Sequence, residues 1–102
     1  MTVKFTALYT KPDDAAAFDQ HYFDVHVPIT KQWPNVERAE VARVVANPMG
    51  GEPAYYLMFE AWFADMDAFR AAMGSESGKE AATDFGRIAP PGSVLLISET
   101  AD

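Results

Sequence analysis

Ala54-Tyr-Tyr-Leu-Met-Phe-Glu-Ala-Trp-Phe63 is apolar or aromatic at almost every position, and how the chain covers this stretch decides its fold. Read as a strand, it sets Tyr55, Leu57, Phe59, Ala61 and Phe63 on one face, and Tyr56, Met58 and Trp62 with Glu60 on the other. With so little polar relief on either side, both faces need a cover.

Outward from this strand, turn formers and periodicity supply the neighbours. Asn47-Pro-Met-Gly-Gly-Glu-Pro53 reads as a hairpin loop, and Val36 to Ala46 before it as a second strand. Glu37, Arg38, Glu40 and Arg43 place that strand at a sheet edge. Thr2 to Thr10 alternates as a first strand, with Val3, Phe5, Ala7 and Tyr9 on one face and Leu8 breaking the pattern. Downstream, Ala64-Asp65 caps a helix through Met66, Phe69 and Met73 that Gly74 ends. Ser75 to Gly78 reads as a break, Glu80 to Phe85 as a short helical piece, Ala89-Pro-Pro-Gly92 as a stop and Val94 to Ile97 as the last strand. The stretch from Asp13 to Pro34 fits a helix that starts on an Asp cap and kinks or pauses after His26, because Pro28 lacks an amide hydrogen and crowds the carbonyl of Asp24.

The resulting order β-α-β-β-α-β is the ferredoxin-like plan of the α+β class: a four-stranded antiparallel sheet, first and third strands central, helices on one face. Helices on one face leave the other open, and its apolar residues predict that two copies press their open sheets together as a homodimer.

Composition narrows the rest. The chain has 102 residues, read as one domain over 1–102, and no apolar run of membrane-spanning length, so no membrane partner is expected. The N-terminus alternates instead of showing a signal peptide, which points to a cytoplasmic protein. The absence of cysteine removes disulfides and thiol chemistry. A net charge of −7 with scattered basic residues argues against nucleic acid.

Both histidines lie in His21-Tyr-Phe-Asp-Val-His-Val-Pro28. On a regular helix Phe18, Tyr22, Val25 and Ile29 form a stripe bordered by His21 on one side and His26 on the other. Imidazole titrates near neutrality, so His26 is the candidate general acid/base, with Tyr22 one turn away to polarise a carbonyl and His21 on the far border. Tyr9, Tyr56 and Trp62 are candidate aromatic walls for a small hydrophobic or aromatic molecule. Metal is disfavoured: five residues apart on a regular helix, the histidines diverge by about 140°. Haem needs more room than this chain offers, and no Gly-rich phosphate loop or Ser nucleophile motif is present, so no cofactor is expected. The competing reading is a structural His26 in a non-catalytic protein.

Pro12-Asp-Asp-Ala-Ala-Ala-Phe-Asp19, His21-Tyr22, His26-Val-Pro-Ile29, Glu40-Val-Ala-Arg-Val44 and Gly50-Gly-Glu-Pro-Ala-Tyr-Tyr56 together resemble the EthD family, named for ethyl tert-butyl ether degradation. The resemblance implies a dimeric α+β barrel, with a pocket between the helices and the sheet of each subunit. Relatives in that superfamily include cyclases, isomerases, haem-binding peroxidases and monooxygenases that need neither metal nor flavin. The fold does not choose among these; with His26 and Tyr22 read as above, the expectation is acid/base chemistry without a cofactor (cyclisation, dehydration or isomerisation) on a small aromatic or polyketide-like compound, or else a ligand-binding or accessory protein in a degradation pathway.

Overall fold

A computed structural model describes residues 2–101. Strands β1 (Val3–Tyr9), β2 (Arg38–Arg43), β3 (Leu57–Phe63) and β4 (Val94–Glu99) form one antiparallel sheet in the order β2-β3-β1-β4. The first and third strands are central and the charged second strand is an edge, as the ferredoxin-like plan requires. The register pairs Ala7 with Phe59 and with Leu95, which puts Val3, Phe5, Ala7 and Tyr9 on the same face as Leu57, Phe59, Ala61 and Phe63. That face packs under the helices and supplies most of the core.

The opposite face is mixed. Leu8, Met58, Trp62, Val94 and Leu96 share it with a Lys4–Glu60 ion pair at 2.9 Å, while the Lys4 and Arg38 cations lie over the Trp62 ring at 5.8 and 4.6 Å. Tyr56 lies just before β3, outside the alternation expected of it. Its hydroxyl reaches over the helix side to donate to Asp19 at 2.9 Å. Leu95 and Ile97 face the helix layer yet remain half exposed, because that layer stops short of β4.

The helix after β1 differs most from expectation. Asp14 caps α1 (Ala15–His21) by accepting from the Ala17 amide at 3.0 Å, and the chain stays helical through Pro28 to the end of α2 (Val27–Thr30). Between them, Tyr22–His26 forms a wide turn in which the Val27 amide donates to the Tyr22 carbonyl, five residues back. Pro28 lacks an N–H, and its ring would crowd the Asp24 carbonyl in a regular helix; shifting the ladder ahead of it lets Pro28 sit in a first turn, where no donor is needed. The wide turn also re-phases the helix. The buried residues are Phe18, Tyr22, His26 and Thr30, strictly four apart, while Val25 turns out to solvent. A regular helix would rotate the last of these about 120° from the first.

The second crossover is also longer than its sequence suggested. Helix α3 (Met66–Gly74) starts on an Asp65 cap, and α4 runs unbroken from Glu76 to Ile88 because Ser75 is its cap, its Oγ accepting from the Gly78 amide at 3.1 Å. The two helices meet almost without a loop. No helix among the described residues is long and apolar enough to cross a membrane.

Gly78 sits where α4 begins against the end of α3. A Cβ there would overlap the Ala72 carbonyl oxygen and lie 2.7 Å from that of Met73. Gly78→Ala should therefore cost about 1–3 kcal/mol, since backbone cannot yield as a flexible side chain does. The expected readout is a lower urea midpoint at unchanged m-value; an unchanged midpoint would contradict this approach.

Candidate functional site

The site begins with the wide turn. It brings His21 and His26, which diverge on a regular helix, to one carboxylate on α4. Asp84 Oδ1 lies 2.8 Å from His21 Nε2, and Asp84 Oδ2 lies 2.8 Å from His26 Nδ1 and 3.1 Å from His21 Nε2. Asp84 is 3% exposed and His26 5%, whereas the His21 side chain is 37% exposed. The group thus runs from a buried ring through a buried carboxylate to a wet ring.

Burial alone would raise the pKa of Asp84. Hydrogen bonds from His26 and His21, and the attraction of the two imidazoles, outweigh it and hold the carboxyl below its usual range. An ionised carboxylate only accepts, so His26 presents its proton on Nδ1 and His21 on Nε2. In the neutral His26 ring this leaves the lone pair on Nε2, which makes no hydrogen bond among the described residues.

His26 is also part of the wall of a cavity of about 70 Å³ between sheet and helices. Phe5, Ala7 and Tyr9 of β1, Phe59 of β3, Trp33, and Met73, Ala81 and Phe85 of the second crossover enclose it, with Thr30 as a further polar side chain and Leu95 at the uncovered β4 edge. The space is smaller than the roughly 150 Å³ that holds a benzene ring. A ring-sized guest therefore requires a wall to move, and the half-exposed Leu95 is the wall with least behind it.

The other candidates fall in different places. Tyr9 lines the cavity; burial pushes its phenol far up, so it stays a neutral donor at any ordinary pH. Tyr22 is fully buried behind His26, stacked on that ring at 5.4 Å and on Phe18 at 5.8 Å. Its hydroxyl lies near the Tyr9 phenol without closing a well-formed hydrogen bond, and burial raises its pKa, which that phenol offsets only in part. It supports the imidazole from behind and is not one of the cavity walls. Tyr56 and Trp62, expected as aromatic walls, are not walls either: Tyr56 bonds Asp19 at the end of α1, and Trp62 lies across the sheet.

Sequence reasoning missed Asp84. Asp24, which lies between the two histidines in sequence, is exposed. The available signal was an aspartate three residues after Ala81 and four before Ile88, in the inward stripe of a helix that had been read as too short to have one.

Comparison with known proteins adds three relationships and a family match. The sequence profile of the EthD domain matches residues 11–90. A crystal structure of an ethyl tert-butyl ether degradation (EthD) family protein from Bacillus halodurans is 39% identical, with a TM-score of 0.91 over 98% of this chain and 99% of that one. An uncharacterized 11.0 kDa protein from the thcB-thcC intergenic region of Rhodococcus erythropolis is 31% identical over 94% of this chain and 92% of its own length. SnoaB from Streptomyces nogalater, a cofactor-independent oxygenase, shares the fold at a TM-score of 0.69 and 19% identity, covering 99% of this chain and 94% of its own.

The depressed pKa of Asp84 fixes a sign for acid stability. A carboxyl more acidic when folded than when unfolded stabilises fully above its unfolded value, about pH 4, and the contribution disappears as pH falls through the lower folded value. Urea unfolding of wild type and Asp84→Asn should differ by about 1.5–3 kcal/mol near neutrality. The two should converge in acid, and a gap that does not change with pH would show that the ionised carboxylate is not its source.

Proposed function

The chain belongs to the EthD family, its EthD domain spanning residues 11–90, and on that premise we propose that it is a dimeric enzyme doing cofactor-independent acid/base chemistry on a small apolar carbonyl compound. The observation that carries this reading is the state of His26. Its ring is buried in the wall of an apolar cavity, its Nδ1 is held by a carboxylate, and its Nε2 is unengaged.

The proposed step is proton transfer next to a carbonyl. Nε2 takes a proton from the carbon alpha to the carbonyl, the C–H electron pair moves into the enolate, and Asp84 balances the imidazolium that forms. Nε2–H then returns the proton to carbon, or to a leaving oxygen in a dehydration or cyclisation. Tyr9, a neutral phenol in the same wall, is the proposed donor to the enolate oxygen. Tyr22 is the proposed backing that fixes the imidazole plane, and its unpartnered hydroxyl is the spare donor if the helix shifts with a guest bound. The apolar lining favours a hydrocarbon or aromatic body over a sugar or phosphate. That the ferredoxin-like sheet of SnoaB hosts cofactor-independent chemistry supports the premise at the level of fold.

Pairing of two copies through the open sheet face is part of the same proposal. Leu8, Met58, Trp62, Val94 and Leu96 share that face, and Leu96 is half exposed. The Lys4–Glu60 ion pair on the same face gives a partner sheet polar register as well as apolar contact. Sedimentation velocity at micromolar concentration should show a dimer that Leu96→Asp converts towards monomer. A monomeric, folded wild type would remove this part.

The chemistry is testable without knowing the natural substrate. Phenylacetone and 2-phenylpropanal in deuterium oxide should exchange their alpha protons faster with wild type than in buffer, followed by proton NMR. His26→Gln should lower that exchange by about 10²–10⁴-fold with the thermal midpoint retained. Retained exchange in His26→Gln, or ligand binding by wild type with no exchange of any carbonyl tried, favours a ligand-binding or accessory role instead.

A further inference from the structure

We propose that His21 is a positioning residue through which bulk pH sets the proton affinity of the cavity imidazole: His21, Asp84 and His26 act as one unit in which two rings compete for a single carboxylate charge. This rests on the reading of His26 as the acid/base group of the cavity.

The geometry requires competition. Both Asp84 oxygens are engaged by imidazole nitrogens at 2.8 Å, and no other side chain makes a hydrogen bond or ion pair to that carboxylate among the described residues. One negative charge cannot fully balance two positive ones. While His21 is neutral, an imidazolium at His26 faces the whole carboxylate charge. Once His21 is protonated, that charge is already balanced, and a second cation at His26 meets repulsion across a buried, weakly screened path. By reciprocity, a proton on His26 weakens the hold of His21 on its own proton by the same factor.

The burial gradient gives the unit a direction. His26 is closed off from water, while His21 opens onto grooves lined by Lys11, Asp13 and Asp14 on one side and by Asp24 on the other. The groups facing His26 are Asp84 from α4, Tyr22 of its own helix and Tyr9 of β1 across the cavity; both phenols are neutral over the relevant range, so neither supplies a competing charge. Lys79, Glu80 and Arg87 share the outer groove beside Asp84 and are exposed, where salt screens them. His21 is thus the titratable group with both solvent access and a direct bond to the carboxylate. The consequence for chemistry is that His26 becomes a stronger base as His21 loses its proton.

The test reads the rings directly. Ring ¹⁵N–¹H spectra of the full-length protein labelled in histidine, taken from roughly pH 4.5 to 9, should give stretched titration curves for both imidazoles. In His21→Gln the His26 curve should sharpen to a single-proton form, and its midpoint should rise by about half a pH unit or more, a threefold or greater gain in proton affinity. His21→Lys, which places a permanent cation on the same wet side, should leave the His26 midpoint below that of His21→Gln. Independent single-proton curves in wild type, or the same His26 midpoint in wild type and both variants, overturn the proposal. These spectra need no substrate, so the two readings fail separately. Coupled curves with His26→Gln fully active would sink the acid/base reading alone, and uncoupled curves with His26→Gln inactive would sink the role of His21 alone.

Discussion

A carboxylate at 3% exposure cannot stand unaccompanied, and the pairing that answers Asp84 organises the helical layer of this protein. His26 and His21 come from the first crossover and Asp84 from the second, so the bonds between them tie the two helical segments together above the sheet. Apolar packing is non-directional and alone would permit those segments to slide. Charge-assisted bonds at 2.8 Å do not. They fix rotation as well as distance, and with it the side of the His26 ring that belongs to the cavity.

That arrangement depends on a backbone irregularity with a plain cause. Pro28 disfavours a regular ladder in the turn before it, and the wide turn at Tyr22–His26 absorbs the conflict. The same turn lets residues four apart keep one face inward, and lets histidines five apart share a partner. A regular helix would present Val25 where His26 now sits and send His21 away from Asp84. The proline thus shapes the histidine–carboxylate group through geometry, without contributing a side chain to it.

The strands, their faces and their order were legible in the sequence because alternation and turn chemistry are local signals. Val3 to Tyr9 and Leu57 to Phe63 fell on the faces expected of them, and the charges of β2 marked an edge. Tyr56 did not, since it lies before the first paired residue of β3. The helices were less legible for two physical reasons. Proline and serine each have more than one helical use: Pro28 looked like a break and serves as a first-turn residue, while Ser75 looked like a break and serves as a cap. The site inherits both misreadings. His26 was visible because its residue type is rare here and its neighbours are apolar. Asp84 was not, because its meaning lies in a contact across 58 residues of chain.

The cavity and the carboxylate unit also explain each other. In water a carboxylate beside an imidazole shifts its behaviour modestly, since solvent answers any charge at once. Here the walls around His26 are almost wholly hydrocarbon and aromatic, and the phenol of Tyr9 stays neutral, so Asp84 is the one full charge bonded to the ring. In the proposed reading, the dry lining suited to an apolar guest is therefore also what leaves His26 with a single bonded charge, one that it shares with a ring on the surface.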